Sequence, residues 1–124
     1  MFVPSDLIRL ICNYIPQFKL RSWINLDEID WYMLSLNPNA IHLLEKNPDK
    51  IHWCHFSRNP NAISLLEKNP DKIDWFWLSH NPNAIHLLEK NQDKIYWCGL
   101  FENPSIFKIK FNQNLYNLLN EILL

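Results

Sequence analysis

Residues 59–80 read NPNAISLLEKNPDKIDWFWLSH, and nearly the same phrase stands immediately before and after them: NPNAIHLLEKNPDKIHWCHFSR over 37–58 and NPNAIHLLEKNQDKIYWCGLFE over 81–102. Nothing is inserted or deleted between the three copies. A fixed period of this kind marks a repeat architecture, in which a unit too small to bury its own apolar face covers it with its neighbours. Outside the full copies, LDEIDWYMLSL at 26–36 matches the second half of a unit and NPSIF at 103–107 opens a fourth. The array therefore runs from about residue 26 to residue 107.

Each unit carries two helix-start signals. Asn37-Pro38, Asn59-Pro60 and Asn81-Pro82 set a good N-cap residue before a proline whose fixed φ suits the first helical position. Asn47-Pro48 and Asn69-Pro70 repeat the signal half a unit later, and the residue before a proline is pushed out of the α region, so the first helix ends at the lysine, Lys46 or Lys68. Gly99 is the single glycine, so these breaks rest on Asn-Pro chemistry and the connections are tight.

On a 100° wheel the first helix of the middle unit puts Ala62, Ile63, Leu65 and Leu66 on one arc and Asn61, Ser64, Glu67 and Lys68 on the other. The second helix, read the same way, gathers Ile73, Trp75, Phe76 and Leu78 inward and turns Asp74 and Trp77 away. Helices of two to three turns are not stable alone in water, so unit must stack on unit. The fold class expected is all-α: a short α-solenoid of two-helix 22-residue repeats with helical N- and C-terminal caps.

The flanks fit a single domain over 1–124. PSDLIRLICNYI at 4–15 reads as an amphipathic helix with Leu7, Ile8, Ile11 and Ile15 inward, followed by a break at Pro16 and a second short helix over 19–24. Residues 1–25 are the N-terminal cap, 26–36 a partial repeat, 37–102 three full repeats, and 103–124 a partial repeat with a capping helix. In that helix, NQNLYNLLNEILL at 112–124, Leu115, Leu118, Leu119, Ile122 and Leu123 are expected to cover the end of the stack. FKIKF at 107–111 alternates like a strand but has no partner strand, and reads as a distorted helix or connector.

Composition narrows the function classes. Twelve basic residues against thirteen acidic ones leave a net charge of −1, with no surplus to hold phosphates, so no nucleic-acid partner is expected. No apolar run reaches the ~20 residues of a membrane span and the start lacks a leader pattern, so the protein is expected to be soluble and unsecreted, without a membrane partner. Cys12, Cys54 and Cys98 are an odd number without CxxC spacing, which suits reduced thiols.

Several residues invite a chemical reading that the repeat itself answers. His52, Cys54 and His55 resemble metal ligands, yet Cys54 recurs as Phe76 and Cys98 at one unit position, as a packing slot would, and zinc would need two further ligands. His42 and His86 share an outward position with Ser64. Asp49, Asp71 and Asp93 recur where a carboxylate favours the start of the second helix, and Trp53, Trp75 and Trp97 recur as core anchors. No phosphate loop, nucleophile motif or zinc signature is present, so no catalytic residue, cofactor or metal is expected.

Positions that vary while the rest is fixed carry more information. On the second helix these are Asp30 and Met33, His52 and His55, Asp74 and Trp77, then Tyr96 and Gly99. Stacked unit on unit they form one stripe, and Trp, Tyr and Met are frequent at binding hot spots and adaptable interfaces. The competing reading is neutral drift on a solvated face. The expected protein-binding stripe is Asp30, Met33, His52, His55, Asp74, Trp77 and Tyr96.

The unit N-P-N-A-I-x-L-L-E-K-N-P-D-K-I-x-W-x-x-L-S resembles a short repeat found in many copies in uncharacterised proteins of giant DNA viruses of protists. The match covers about two-thirds of the chain. The resemblance implies viral origin and a helical repeat scaffold acting on a protein partner in the reducing host cytoplasm, with virion association as a second location, and brings no catalytic residues. VPSDLIRLICNYIPQFKLRSW at 3–23 resembles an F-box, whose pattern begins with an apolar residue, proline and an acidic residue. Val3 stands where leucine is usual, and the stretch is about half the length of a full F-box. The alternative function it implies is an adaptor recruiting host ubiquitin-ligase machinery. A further expected partner is a second copy of the chain, paired through the C-terminal helix.

Overall fold

The computed structural model describes residues 4–7, 18–108 and 113–123, the side chain of Leu115 excepted. All regular structure among these residues is helical, as expected, and there is no strand. The α-helices are α1 (Trp31–Leu34), α2 (Ile41–Glu45), α3 (Trp53–Arg58), α4 (Ile63–Lys68), α5 (Trp75–Ser79), α6 (Ile85–Lys90), α7 (Trp97–Glu102) and α8 (Gln113–Leu123). Short 3-10 turns at Pro38–Ala40, Pro48–Lys50, Pro70–Lys72, Gln92–Lys94 and Pro104–Ile106 punctuate them, with another at Leu26–Glu28.

The first helix of each unit starts later than the Asn-Pro signal implies, at Ile41, Ile63 and Ile85 after Ala40, Ala62 and Ala84, with Pro60-Asn61 and Pro82-Asn83 in a turn, while its faces are as expected. Ala62 and Leu66 are buried and Ile63 and Leu65 half-buried, while Asn61, Ser64, Glu67 and Lys68 are exposed. Leu44, Leu66 and Leu88 occupy one unit position and are all enclosed, as are Ala40, Ala62 and Ala84 at another. Each leucine contributes about 2 kcal/mol of burial. Phe56 and Leu78 fill the matching slot on the second helices, where α3 packs against α5 and α5 against α7.

The second half of the unit departs from the single helix expected. The turn over Pro70–Lys72 stops at Ile73, whose ψ of 123° is extended, and the helix restarts only at Trp75. Asp49, Asp71 and Asp93 therefore sit in an exposed 3-10 turn, not in the first turn of the α-helix. The second set of Asn residues also differs from expectation. Asn47, Asn69 and Asn91 make no side-chain N-cap; each instead donates from Nδ2 to the carbonyl four residues back, at 2.8 to 2.9 Å, closing the preceding helix.

The other Asn set joins the units. Asn59, Asn81 and Asn103 are almost completely buried. Each accepts at Oδ1 from the backbone N–H two residues on, and each donates twice from Nδ2, once to the end of one unit and once to the start of the next: Asn81 to the carbonyls of Ser57 at 2.9 Å and Asn59 at 2.8 Å, with Asn59 and Asn103 repeating the pattern. Ser35, Ser57 and Ser79 complete the joint. Each hydroxyl donates to the carbonyl four residues back and accepts the N–H of His52, Asp74 or Tyr96 in the next unit at 3.0 Å. No buried side-chain polar atom among the described residues lacks a partner, which is what makes these buried amides stabilising.

The tryptophans are not the core anchors expected. Trp53 and Trp75 are half-buried, with Lys72 and Lys94 of the following units at 4.9 and 4.8 Å over their rings, and Trp97 is 53% exposed. The flanks also differ. The segment over 18–24 is not a helix; it makes a turn closed by Ile24 N–H donating to Arg21 O at 3.0 Å, with Phe18, Leu20 and Trp23 exposed and so no apolar stripe to hold a short helix. Leu7 is exposed, and the rest of the N-terminal amphipathic helix, with most of the F-box-like stretch, lies outside the described residues. So do Cys12 and most of FKIKF. The helix α8 forms where expected, yet Leu118, Leu119, Ile122 and Leu123 are exposed, Leu123 by 80%, so these side chains do not cover the end of the stack.

Candidate functional site

The variable residues of the second helices come together on one face. Asp30, His52, Asp74 and Tyr96 share the N-cap position of α1, α3, α5 and α7, and Met33, His55, Trp77 and Gly99 follow three residues later. The N-cap position is not free of structural duty. Asp30 and Asp74 each accept the N–H three residues on, from Met33 and Trp77, at 3.1 Å. His52 and Tyr96 make no such cap.

Aromatic rings run along this face in an unbroken series. Tyr32 meets His52 and His55 at centroid distances of 4.5 and 3.7 Å; His55 meets Trp77 at 5.9 Å; Trp77 meets Phe76 at 5.0 Å and His80 at 5.8 Å; and Phe76 meets Tyr96 at 4.4 Å. Seven side chains from four helices thus touch in sequence, and Arg58 lies 5.3 Å over the Trp77 ring. Offset and edge contacts of this kind favour ring order beyond simple burial.

Three of these rings, Tyr32, Phe76 and His80, are absent from the stripe read in the sequence. Phe76 is 42% exposed where it was expected inward, and Trp77 is half-buried where it was expected outward. The break at Ile73 explains both: a wheel carried through an extended residue loses its phase. Tyr32, Cys54, Phe76 and Cys98 share one unit position and are exposed or half-buried, so it is not the packing slot inferred from the cysteines. Leu36, Arg58, His80 and Glu102 share another. The signal that could have found them is the variation itself.

Gly99 also has a packing role. It is buried because the His80 ring lies over it, and a Cβ there would collide with that ring. His80 Nδ1 donates to Phe76 O at 3.0 Å, and its Nε2 faces Glu102 at 3.6 Å.

The electrostatics around Cys54 and His55 do not make a nucleophile. Hydrogen bonding to Asp74, then burial, then the Asp74 charge push the Cys54 thiol above its ordinary value, favouring the unreactive protonated form. Burial, then the charges of His52 and Arg58, push His55 below its ordinary value, with Asp30 opposing. His52 and His55 face each other Nδ1 to Nδ1 at 3.1 Å. Among the described residues no group of three or more His, Cys, Asp or Glu is arranged to hold a metal ion. Cys54 and Cys98 are free thiols. His86 pairs with Glu67 of the preceding unit at 3.0 Å on the surface. The cleft of about 400 Å³ between Phe18 and α2 has His42 and Glu45 as its titratable lining and lies away from the stripe.

Comparison with protein-family models, with curated proteins and with solved structures finds no match. No helix among the described residues is long and apolar enough to cross a membrane.

Proposed function

We propose that the chain is a short α-solenoid that serves as a non-enzymatic scaffold and binds a protein through the aromatic face of its second helices. The observation carrying this reading is the continuous ring series from Tyr32 to Tyr96, with Tyr32, Phe76 and Tyr96 left more than two-fifths exposed on a fixed backbone. Large, rigid aromatic side chains give contact area at little entropy loss, and exposed apolar area in one patch marks interaction sites. The joints between units supply the rigidity: buried Asn amides tie positions 22 residues apart, and Ser hydroxyls tie positions 17 apart. Asp30, Met33, His52, His55, Asp74, Trp77 and Tyr96 remain the proposed contact residues, joined now by Tyr32, Phe76 and His80.

The viral origin and host-cell setting are proposed on the strength of the repeat resemblance alone. Capture of partners from a host-cell extract by the full chain, compared with a Phe76→Ala/Tyr96→Ala variant, tests the binding reading. Loss of a specific partner by the variant, with its helical signal and unfolding midpoint nearly unchanged, is expected. Equal capture by both proteins contradicts it.

A further inference from the structure

An imidazole nitrogen can enter a hydrogen bond as an N–H donor or as a lone-pair acceptor, so the 3.1 Å contact between His52 Nδ1 and His55 Nδ1 holds one proton between two nitrogens. With both rings fully protonated, N–H would face N–H and two positive rings would be in contact. The closed pair is incompatible with full protonation. At the same unit position, Asp30 and Asp74 close the helix start with a carboxylate that accepts a backbone N–H. The unit at 37–58 has replaced that cap with a titratable pair.

The place of the pair gives it a consequence. His55 is the ring that joins the two halves of the stripe, with Tyr32 at 3.7 Å on one side and Trp77 at 5.9 Å on the other. The charged groups that act on it are Asp30 from α1 and Arg58 and His52 from α3 and its cap, with the rings of Tyr32 from α1 and Trp77 from α5 against it; Asp74 of α5 bonds the neighbouring Cys54. Asp30 draws a second proton in; Arg58 and the first imidazolium keep it out.

We propose that the His52–His55 pair is an acid-sensitive latch in the aromatic stripe. At neutral pH it is closed around one shared proton. On acidification the second proton opens it, withdraws His55 from between Tyr32 and Trp77, and interrupts the surface. As a control on binding, this rests on the stripe being the contact face; as a property of the two rings, it does not.

Imidazole NMR of the full chain, titrated from about pH 8 to pH 5, tests the latch without a partner. The expected result is two separate protonation steps for the pair, with the ring signals of Tyr32 and Trp77 shifting in the second. In His52→Asp, which installs the residue of Asp30 and Asp74, the two steps collapse to one and His55 takes its proton at higher pH. In His55→Phe, which leaves His52 beside Tyr32 and His80 beside Trp77, the Tyr32 and Trp77 signals no longer move together in one step. Independent single-step titration of both imidazoles, with Tyr32 and Trp77 unmoved, overturns the proposal. Partner capture by Phe76→Ala/Tyr96→Ala decides the contact-face reading separately, so the two can fail independently.

Discussion

The side-chain amide of Asn81 reaches back one full unit and donates to the backbone carbonyl of Asn59 at 2.8 Å, and Asn59 is itself buried and donating to the unit before. Asparagine here both closes the turn ahead of the next helix and joins the repeats. Its carboxamide is the only side chain of that size with an acceptor for the N–H two residues on and two donors for the carbonyls behind. Aspartate has no donor, and serine has one.

Asn81→Ala is expected to destabilise the fold by about 3 kcal/mol, because three hydrogen bonds are lost and two enclosed carbonyls lose a donor. Asn81→Asp is expected to cost more, since its oxygens would face those carbonyls. Denaturant unfolding measures both; a loss under about 1 kcal/mol for either would show that the joint is peripheral.

Ser57→Ala removes the acceptor for the Asp74 N–H while leaving that group against the preceding unit. A loss of about 1–2 kcal/mol is expected, the cost of an unpaired buried donor. Ser64→Ala, on an exposed helix face, is the control and should lie within ±0.5 kcal/mol.

Gly99→Ala sets two effects against each other. Alanine favours a helix by up to about 1 kcal/mol over glycine, but its Cβ takes the space of the His80 ring, which can swing away. Stability is expected to change by less than about 1 kcal/mol while the His80 ring leaves Phe76 and Tyr96. NMR shifts of those rings check it; unchanged shifts would contradict the seating of His80.

The His55 shift makes a stability prediction with a definite sign. Its folded value lies below the unfolded one of about 6.5, so the unfolded chain binds the proton more readily. The contribution is present above the unfolded value and lost as pH falls through the folded value. The urea midpoint of the wild type should therefore drop more between pH 7.5 and pH 5 than that of His55→Phe. Equal drops would contradict it.

At eleven residues, α8 is shorter than the ~12–15 at which an isolated helix becomes even marginal in water, and it exposes Leu118, Leu119, Ile122 and Leu123. Pairing of two chains through this face is expected, and Leu119→Glu with Ile122→Glu should abolish it. Sedimentation measures the mass; a wild-type monomer at high concentration would contradict the pairing.

Much of this was legible in the sequence. The period, the all-helical class and the inward face of 63–68 follow from local rules, because proline and apolar spacing act within a few residues. The break was legible only in part: Asp74 is a helix-start residue type, but isoleucine is accepted in helix and strand alike, so nothing marks Ile73 as extended. Ile73 and Asp74, both extended, together rotate Phe76 outward and Trp77 partly inward. The Asn joint was hidden for another reason. Its bonds run 22 and 24 residues back, and an asparagine before proline shows no local sign that its amide is also used at long range.

The central claim is that units stack through buried asparagine amides, and hydrogen exchange of side-chain amides tests it most directly. The Nδ2 protons of Asn59, Asn81 and Asn103 should exchange far more slowly than those of Asn117, which is exposed on α8. All three should lose protection together with the core backbone amides on unfolding. Exchange of the three at the rate of Asn117 in the folded protein would contradict the stacking.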